Sequence, residues 1–63
     1  MNQALIIQVA AYPGWIVEVS LAPIEGYQCW IVNPNLMVLN NGETYQTSSA
    51  AMAAGRTFVE RHR

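Results

Sequence analysis

The chain has 63 residues, of which 52% are apolar and only 11% are charged, and four glutamates against three arginines set the net charge at −1. This composition excludes an intrinsically disordered chain, which combines low hydrophobicity with high charge. It also argues against a general nucleic-acid binder, which needs basic residues to neutralise phosphates. The single cysteine excludes a disulfide framework within the chain, and the length fits one small domain over residues 1–63.

Two strands are predicted in the first third of the chain. Residues 4–11 are apolar and rich in β-branched side chains, and a Tyr-Pro-Gly turn follows them. Residues 15–21 alternate between the two faces of a strand, with Trp15, Val17 and Val19 on one side. We expect these three side chains to form the floor beneath a packed helix.

Two more strands are predicted over residues 27–32 and 36–39. The first of them is built from aromatic and β-branched residues, and an Asn-Pro-Asn turn separates it from the second. Asn41-Gly42 then fits a type I′ hairpin turn, which requires positive φ at both central residues. Residues 43–45 are expected to return as a short strand after this turn.

The pattern changes to a helix at residues 48–62. Thr47, Ser48 and Ser49 can cap its first turn, the alanines that follow favour the helical backbone, and arginines in the last turn suit the helix dipole. Strands followed by one helix predict an α+β fold. The expected architecture is an antiparallel three- to four-stranded meander with one C-terminal helix packed on one face.

The predicted sheet has more apolar residues than one helix can cover. Strand 27–32 is apolar on both sides, so one face stays exposed, and an exposed apolar patch marks an interaction site. Surfaces of soluble domains carry roughly a quarter or more charged residues, far more than this chain offers. We therefore predict a protein-interaction domain that self-associates, with a homodimer favoured, through the sheet face away from the helix or through an edge strand. The predicted interface residues are Ile6, Ile16, Tyr27, Cys29, Trp30 and Ile31.

Enzymatic chemistry is not expected from these residues. The one histidine, His62, is the penultimate residue, the four glutamates are separated along the chain, and Cys29 has no histidine near it in the sequence. The four glycines are scattered, so they form no phosphate-binding loop. The prediction is a non-enzymatic domain with no catalytic residue, no cofactor and no metal.

Two alternative functions stay open. As an adaptor or regulatory subunit, the domain would use the same apolar face to bind a different protein. As a module for small ligands or anions, it would use its aromatic residues with Thr47, Ser48 and Ser49, because free amides at a helix N-terminus attract anions. Neither nucleic acid nor membrane is an expected partner. A cytoplasmic location is expected, because the first residues lack the positive charge of a signal peptide.

The predicted elements follow one another in a recognisable order. A strand begins at Trp15, a second strand contains Trp30, and a turn lies at Gly42. The segment Tyr45-Gln46-Thr47 and an alanine-rich helix over 50–59 come next. In this order they resemble small bacterial families of unknown function that consist of a β-meander and a helix. The chain also resembles the three-strand-plus-helix modules of integrase amino termini, which read DNA through a basic sheet, but its predicted strands carry no lysine or arginine. The resemblance implies the fold and no activity.

Overall fold

A computed structural model describes residues 6–63, which form a four-stranded antiparallel sheet followed by one helix. The elements in chain order are β1 (Ile6–Tyr12), β2 (Trp15–Leu21), β3 (Tyr27–Val32), β4 (Val38–Asn40) and α1 (Ser48–His62). The strands lie in the order β1-β2-β3-β4, so each strand pairs with its neighbours in the chain. The predicted α+β meander with one C-terminal helix on one face is therefore confirmed.

The bounds of β2, β3 and α1 are those that the sequence predicted. Strand β1 extends to Tyr12, one residue beyond the predicted end, and positions 4 and 5 of that prediction lie outside the described residues. The pairing of β1 with β2 shifts by one residue between Ile6 and Gln8, which marks a β-bulge. Within residues 6–63, no helix has the length and apolar character needed to cross a membrane.

The fourth strand begins later than predicted, because the chain is still turning at residues 36 and 37. The side-chain oxygen of Asn33 accepts hydrogen bonds from the backbone N–H groups of Asn35 and Met37, both at 2.9 Å. Leu36 has a φ of 64°, in the left-handed region, where an extended strand cannot continue. The predicted strand over 36–39 is corrected to Val38–Asn40.

The predicted type I′ hairpin at Asn41-Gly42 is wrong. Gly42 has a φ of 78°, but Asn41 is not among the residues with positive φ, and the turn type requires both. The chain does not reverse there. Tyr45 pairs with Tyr27 through two backbone hydrogen bonds of 2.8 Å, on the edge of β3 that also holds β4. Residues 41–44 thus bulge outward before the chain rejoins β3, and the short strand expected over 43–45 is reduced to this single bridge.

The core lies between α1 and the sheet. Helix α1 contacts β2 and β3, and the floor beneath it includes Trp15, Val17 and Val19, as the alternation of β2 predicted. Small residues let the helix approach closely: a Cβ added at Gly55 would lie 2.7 Å from the Cys29 sulfur. The buried apolar residues are Trp15, Val17, Val19, Cys29, Ile31, Ala51 and Val59.

We expect Gly55→Ala to lower the free energy of unfolding by about 1–3 kcal/mol, because the added methyl group overpacks the contact with Val17 and Cys29. Helix propensity alone predicts a gain of about 1 kcal/mol for this substitution, so the sign distinguishes the two effects. The measurement is urea unfolding followed by circular dichroism. Thr57→Ala, on the exposed side of the same helix, is the control and should stabilise by about 0.5 kcal/mol or less. A more stable Gly55→Ala protein would contradict the close approach.

Candidate functional site

Helix α1 covers one face of the sheet and leaves the other without a covering element among the described residues. We call this second surface the open face. Directly paired residues of antiparallel strands point to the same side of a sheet, so the register defines its members. The open face consists of Ile6, Val9 and Ala11 from β1, Ile16, Glu18 and Ser20 from β2, Gln28, Trp30 and Val32 from β3, and Val38 and Asn40 from β4.

The open face is an apolar surface with a single charge. Val9 and Val38 are 60% and 61% exposed, and Ile6 and Ile16 also reach solvent. Glu18 is the one charged residue of the face, whereas the three arginines lie on α1 and at Arg63. Val9 pairs with Glu18, whereas the other exposed aliphatic side chains of this face have no charged residue paired with them.

The strand register orders the open face into rows across the sheet. One end row is entirely apolar and consists of Ala11, Ile16, Val32 and Val38. The middle row consists of Val9, Glu18, Trp30 and Asn40. The row at the opposite end contains the polar Ser20 and Gln28 beside Ile6. The apolar character of the face therefore rises toward the β1–β2 turn and the loop that follows β3.

Trp30 lies across the open face and covers its neighbour Ser20. The indole Nε1 of Trp30 donates a hydrogen bond of 2.8 Å to the Ser20 hydroxyl oxygen, and Ser20 is completely buried although it belongs to the open face. Trp30 itself is only half-buried. Trp30 thus covers Ser20 in the polar part of the open face, and it leaves the apolar end row uncovered.

The structure divides the six predicted interface residues between the two sides of the sheet. Ile6, Ile16 and Trp30 belong to the open face. The prediction is corrected for Cys29 and Ile31, which are buried beneath α1 because they pair with Val19 and Val17 on the helix side.

The prediction is also corrected for Tyr27, which shares that helix side, is half-buried against the core and has its backbone bonded to Tyr45. Sequence reasoning missed Val9, Val32 and Val38 of the open face. The sequence shows which residues of one strand point to the same side. Only the pairing of the strands shows which residues of neighbouring strands share a face of the sheet.

A second exposed apolar feature adjoins the apolar end of the open face. Leu36 is 81% exposed, and its left-handed backbone costs about 1–2 kcal/mol for a residue with a Cβ. The Asn33 side chain and the 2.8 Å bond from the Leu36 N–H to the Asn33 carbonyl oxygen hold this conformation. Beside it lies an open cavity of about 370 Å³, whose walls include Ala11, Gly14, Ile16, Val32, Pro34 and Leu36.

The helix N-terminus predicted as an anion site is capped by the chain itself. The Thr47 hydroxyl oxygen accepts a hydrogen bond of 3.0 Å from the backbone N–H of Ala50, and the Thr47 carbonyl oxygen accepts from Ala51 at 3.2 Å. Ser48 is half-buried and Ser49 is exposed. These contacts are those of an ordinary N-cap, and an anion site at residues 47–49 stays a prediction.

The side chains with reactive chemistry are held in structural contacts. His62 bonds through Nδ1 to the Phe58 carbonyl oxygen at 2.8 Å, and its ring stacks on Phe58 with 4.0 Å between centroids. Cys29 is buried in the core, and this burial raises the pKa of its thiol. Within residues 6–63, no three His, Cys, Asp or Glu side chains are grouped so that they could hold a metal ion.

In the comparisons with known proteins, no family model, no curated protein and no solved structure matched this chain. The order of strands and helix that resembles small bacterial families and integrase amino termini is therefore a likeness of pattern, and no family is assigned from it. What the chain does is inferred from its own surface.

The raised pKa of the Cys29 thiol predicts a loss of stability at alkaline pH. The unfolded chain loses the thiol proton near the ordinary pKa of 9.0, whereas the folded chain keeps it to higher pH. Between these two values the unfolded state binds fewer protons, so the free energy of unfolding falls as the pH rises. Urea unfolding at pH 7.5 and pH 10 should show a smaller fall for Cys29→Ala than for the wild type. Equal falls in both proteins would contradict the assignment.

The Trp30–Ser20 hydrogen bond is expected to stabilise the fold. Ser20→Ala leaves the indole N–H without its acceptor and should lower the free energy of unfolding by about 1–2 kcal/mol. Trp30→Phe removes the donor, so a double-mutant cycle with both substitutions isolates the pair and should give a coupling of about 1 kcal/mol. The cycle is measured by urea unfolding. Additive effects of the two substitutions would refute the contribution of this bond.

Proposed function

We propose that this chain is a non-enzymatic protein-interaction domain that forms a homodimer through the open face of its sheet. The observation that carries the proposal is the apolar end row of that face, where Ile16 and Val38 are exposed beside Ala11 and Val32 with no charge among them. Burying apolar surface is the dominant favourable term in protein association. A second copy placed over this row would remove it from water.

The distribution of charge favours a second copy as the partner. Glu18 is the single acidic residue of the open face. It lies in the middle row, two residues along β2 from Ile16 of the apolar end row. A two-fold axis near the apolar row places the two Glu18 carboxylates at the rim, where they remain hydrated. The arginines lie on α1 and at the C-terminus, so they do not face this interface. Two such surfaces meet without bringing like charges together in the centre.

The dimensions of the open face indicate a reversible dimer. Four strands about 4.8 Å apart, with seven, seven, six and three residues that each rise about 3.3 Å, present a flat area of roughly 400 Å². A standard interface buries about 800 Å² on each partner, and weak complexes bury less. The face by itself therefore fits a weak dimer, and the adjoining loop of residues 34–37 has to contribute if the interface reaches the standard size.

A non-enzymatic role is supported by where the reactive side chains lie. Cys29 is buried beneath α1, His62 caps the last turn of the helix, and Glu18 stands alone on the open face. Catalysis by general acid and base needs such groups within hydrogen-bond reach of one substrate. We also propose a cytoplasmic location, which suits a free cysteine thiol that has no disulfide partner in the chain.

We expect Ile16→Glu and Val38→Glu, two substitutions within the apolar end row, to convert the dimer into a monomer, because each dimer then buries two additional charges without partners. Such a burial costs several kcal/mol per charge, so the dissociation constant should rise at least 100-fold. The measurement is light scattering after gel filtration, across a dilution series. Trp30 is less suitable for this test, because its replacement also uncovers Ser20.

Ile24→Glu is the matched control, because Ile24 is 95% exposed in the β2–β3 connection, at the far end of the sheet from the apolar row. It should leave the mass of the dimer unchanged. If both open-face variants retain the dimer mass, the interface lies elsewhere. If the wild type has the 7.0 kDa mass of a monomer at every concentration, self-association is refuted, and a different protein becomes the partner to seek.

A further inference from the structure

We infer that Leu36 is the anchor of this homodimer, and that each copy inserts Leu36 into the cavity beside Ile16 and Val32 of the second copy. The inference rests on the proposed self-association and adds the contact that determines its geometry. Three features of residues 33–38 and their surroundings support it. They are the shape of the surface, the backbone conformation of Leu36 and the charge of the cavity walls. The occupant of the cavity is a leucine side chain from an identical chain.

The shapes of the loop and the cavity are complementary within one surface. Leu36 projects into solvent with 81% of its surface exposed, and the cavity next to it measures about 370 Å³. The cavity is open to solvent and large compared with an isobutyl group, so a leucine side chain can enter it from outside. A two-fold interface requires that the projecting group and its receptor lie on the same patch. Leu36 lies at the rim of the cavity, which satisfies this requirement.

The backbone at Leu36 opposes local preference. Its φ of 64° is a conformation that glycine and asparagine adopt readily and that leucine rarely adopts. The Asn33 side chain nevertheless holds the loop through its two bonds to Asn35 and Met37. The exposed Leu36 side chain gains little burial from its own chain, whereas a leucine whose backbone is held in one conformation loses less conformational entropy when it binds a partner. The conformation therefore indicates an intermolecular contact.

Charge and area both favour a second copy over a charged partner. The cavity walls contain no Asp, Glu, Lys, Arg or His, and their polar side chains are those of Tyr12, Trp15 and Asn33. A charged side chain from another protein would lose its hydration there without gaining a counter-charge. The loop also supplies contact area that the roughly 400 Å² of the flat sheet face lacks when it is compared with a standard interface.

The first test compares Leu36→Asn with Ile24→Asn by sedimentation equilibrium and thermal unfolding. Asparagine keeps the left-handed backbone and removes the aliphatic group, so Leu36→Asn should raise the dissociation constant at least tenfold. Its melting temperature, measured at a concentration where the wild type is monomeric, should be equal to or above that of the wild type. Ile24→Asn removes an equally exposed aliphatic group from the far end of the sheet and should change the dissociation constant less than twofold.

The second test fills the cavity instead of removing the anchor. Ala11 is exposed on the open face and forms part of the cavity wall. Ala11→Leu adds apolar surface to the open face. If association depended on apolar area alone, the dimer would become tighter. If Leu36 inserts into the cavity, the dissociation constant should instead rise at least tenfold. Ala50→Leu adds the same group on the exposed side of α1 and is the control, with no expected change.

The outcomes separate the anchor from the dimer itself. If Ile16→Glu abolishes the dimer and Leu36→Asn leaves its dissociation constant unchanged, the anchor is refuted and self-association through the open face stands. If Leu36→Asn weakens the dimer and Ala11→Leu tightens it, Leu36 contacts the partner outside the cavity, and insertion is refuted. A wild type that is monomeric at all concentrations refutes both. Weakening by both substitutions, with unchanged controls, supports reciprocal insertion.

Discussion

The contact between Gly55 of α1 and the sheet residues Val17 and Cys29 determines how the rest of the molecule is arranged. Because glycine has no Cβ, the helix backbone approaches β2 and β3 so closely that Ala51 and Val59, one turn away on either side, are also buried. A short helix placed in this way seals one face of the sheet over its central strands. It cannot also cover the opposite face, and a chain of this size has no further element among residues 6–63 with which to do so.

The open face is a consequence of that arrangement, and its two ends differ in how far they are covered. At the polar end, the Trp30 indole covers Ser20 and satisfies its hydroxyl group, so the fold closes this region by itself. At the apolar end, Ile16 and Val38 stay exposed, and the loop that follows β3 adds Leu36 to them. A monomer gains nothing from exposing these side chains. Their concentration at one end, next to a cavity and on the side of the sheet opposite α1, is the physical basis for assigning an interaction role to this region.

The regular elements were predictable, because β2 and α1 carry clear periodicities of two and of three to four residues. The connections were less predictable. Residues 36 and 37 read as the start of a strand because leucine and methionine are apolar, but the Asn33 side chain competes for the backbone N–H groups and imposes a turn. Asn41-Gly42 read as a hairpin, yet the backbone bonds between Tyr45 and Tyr27 keep the chain on the same edge of β3. Side-chain bonds and distant pairings of this kind leave no periodic signal in a sequence.

The sequence by itself determined the class of the fold, the order of its elements and the surplus of apolar residues over charged ones, because these depend on local propensity and composition. It did not determine which side of β3 is buried, since Cys29 and Ile31 on one side are as apolar as Trp30 and Val32 on the other. Only the tertiary structure decided this, through the register that aligns Cys29 with Val19 and Ile31 with Val17 under the helix. Burial depends on how the helix and the sheet pack together. For a strand that is apolar on both sides, the neighbouring elements determine which side is buried.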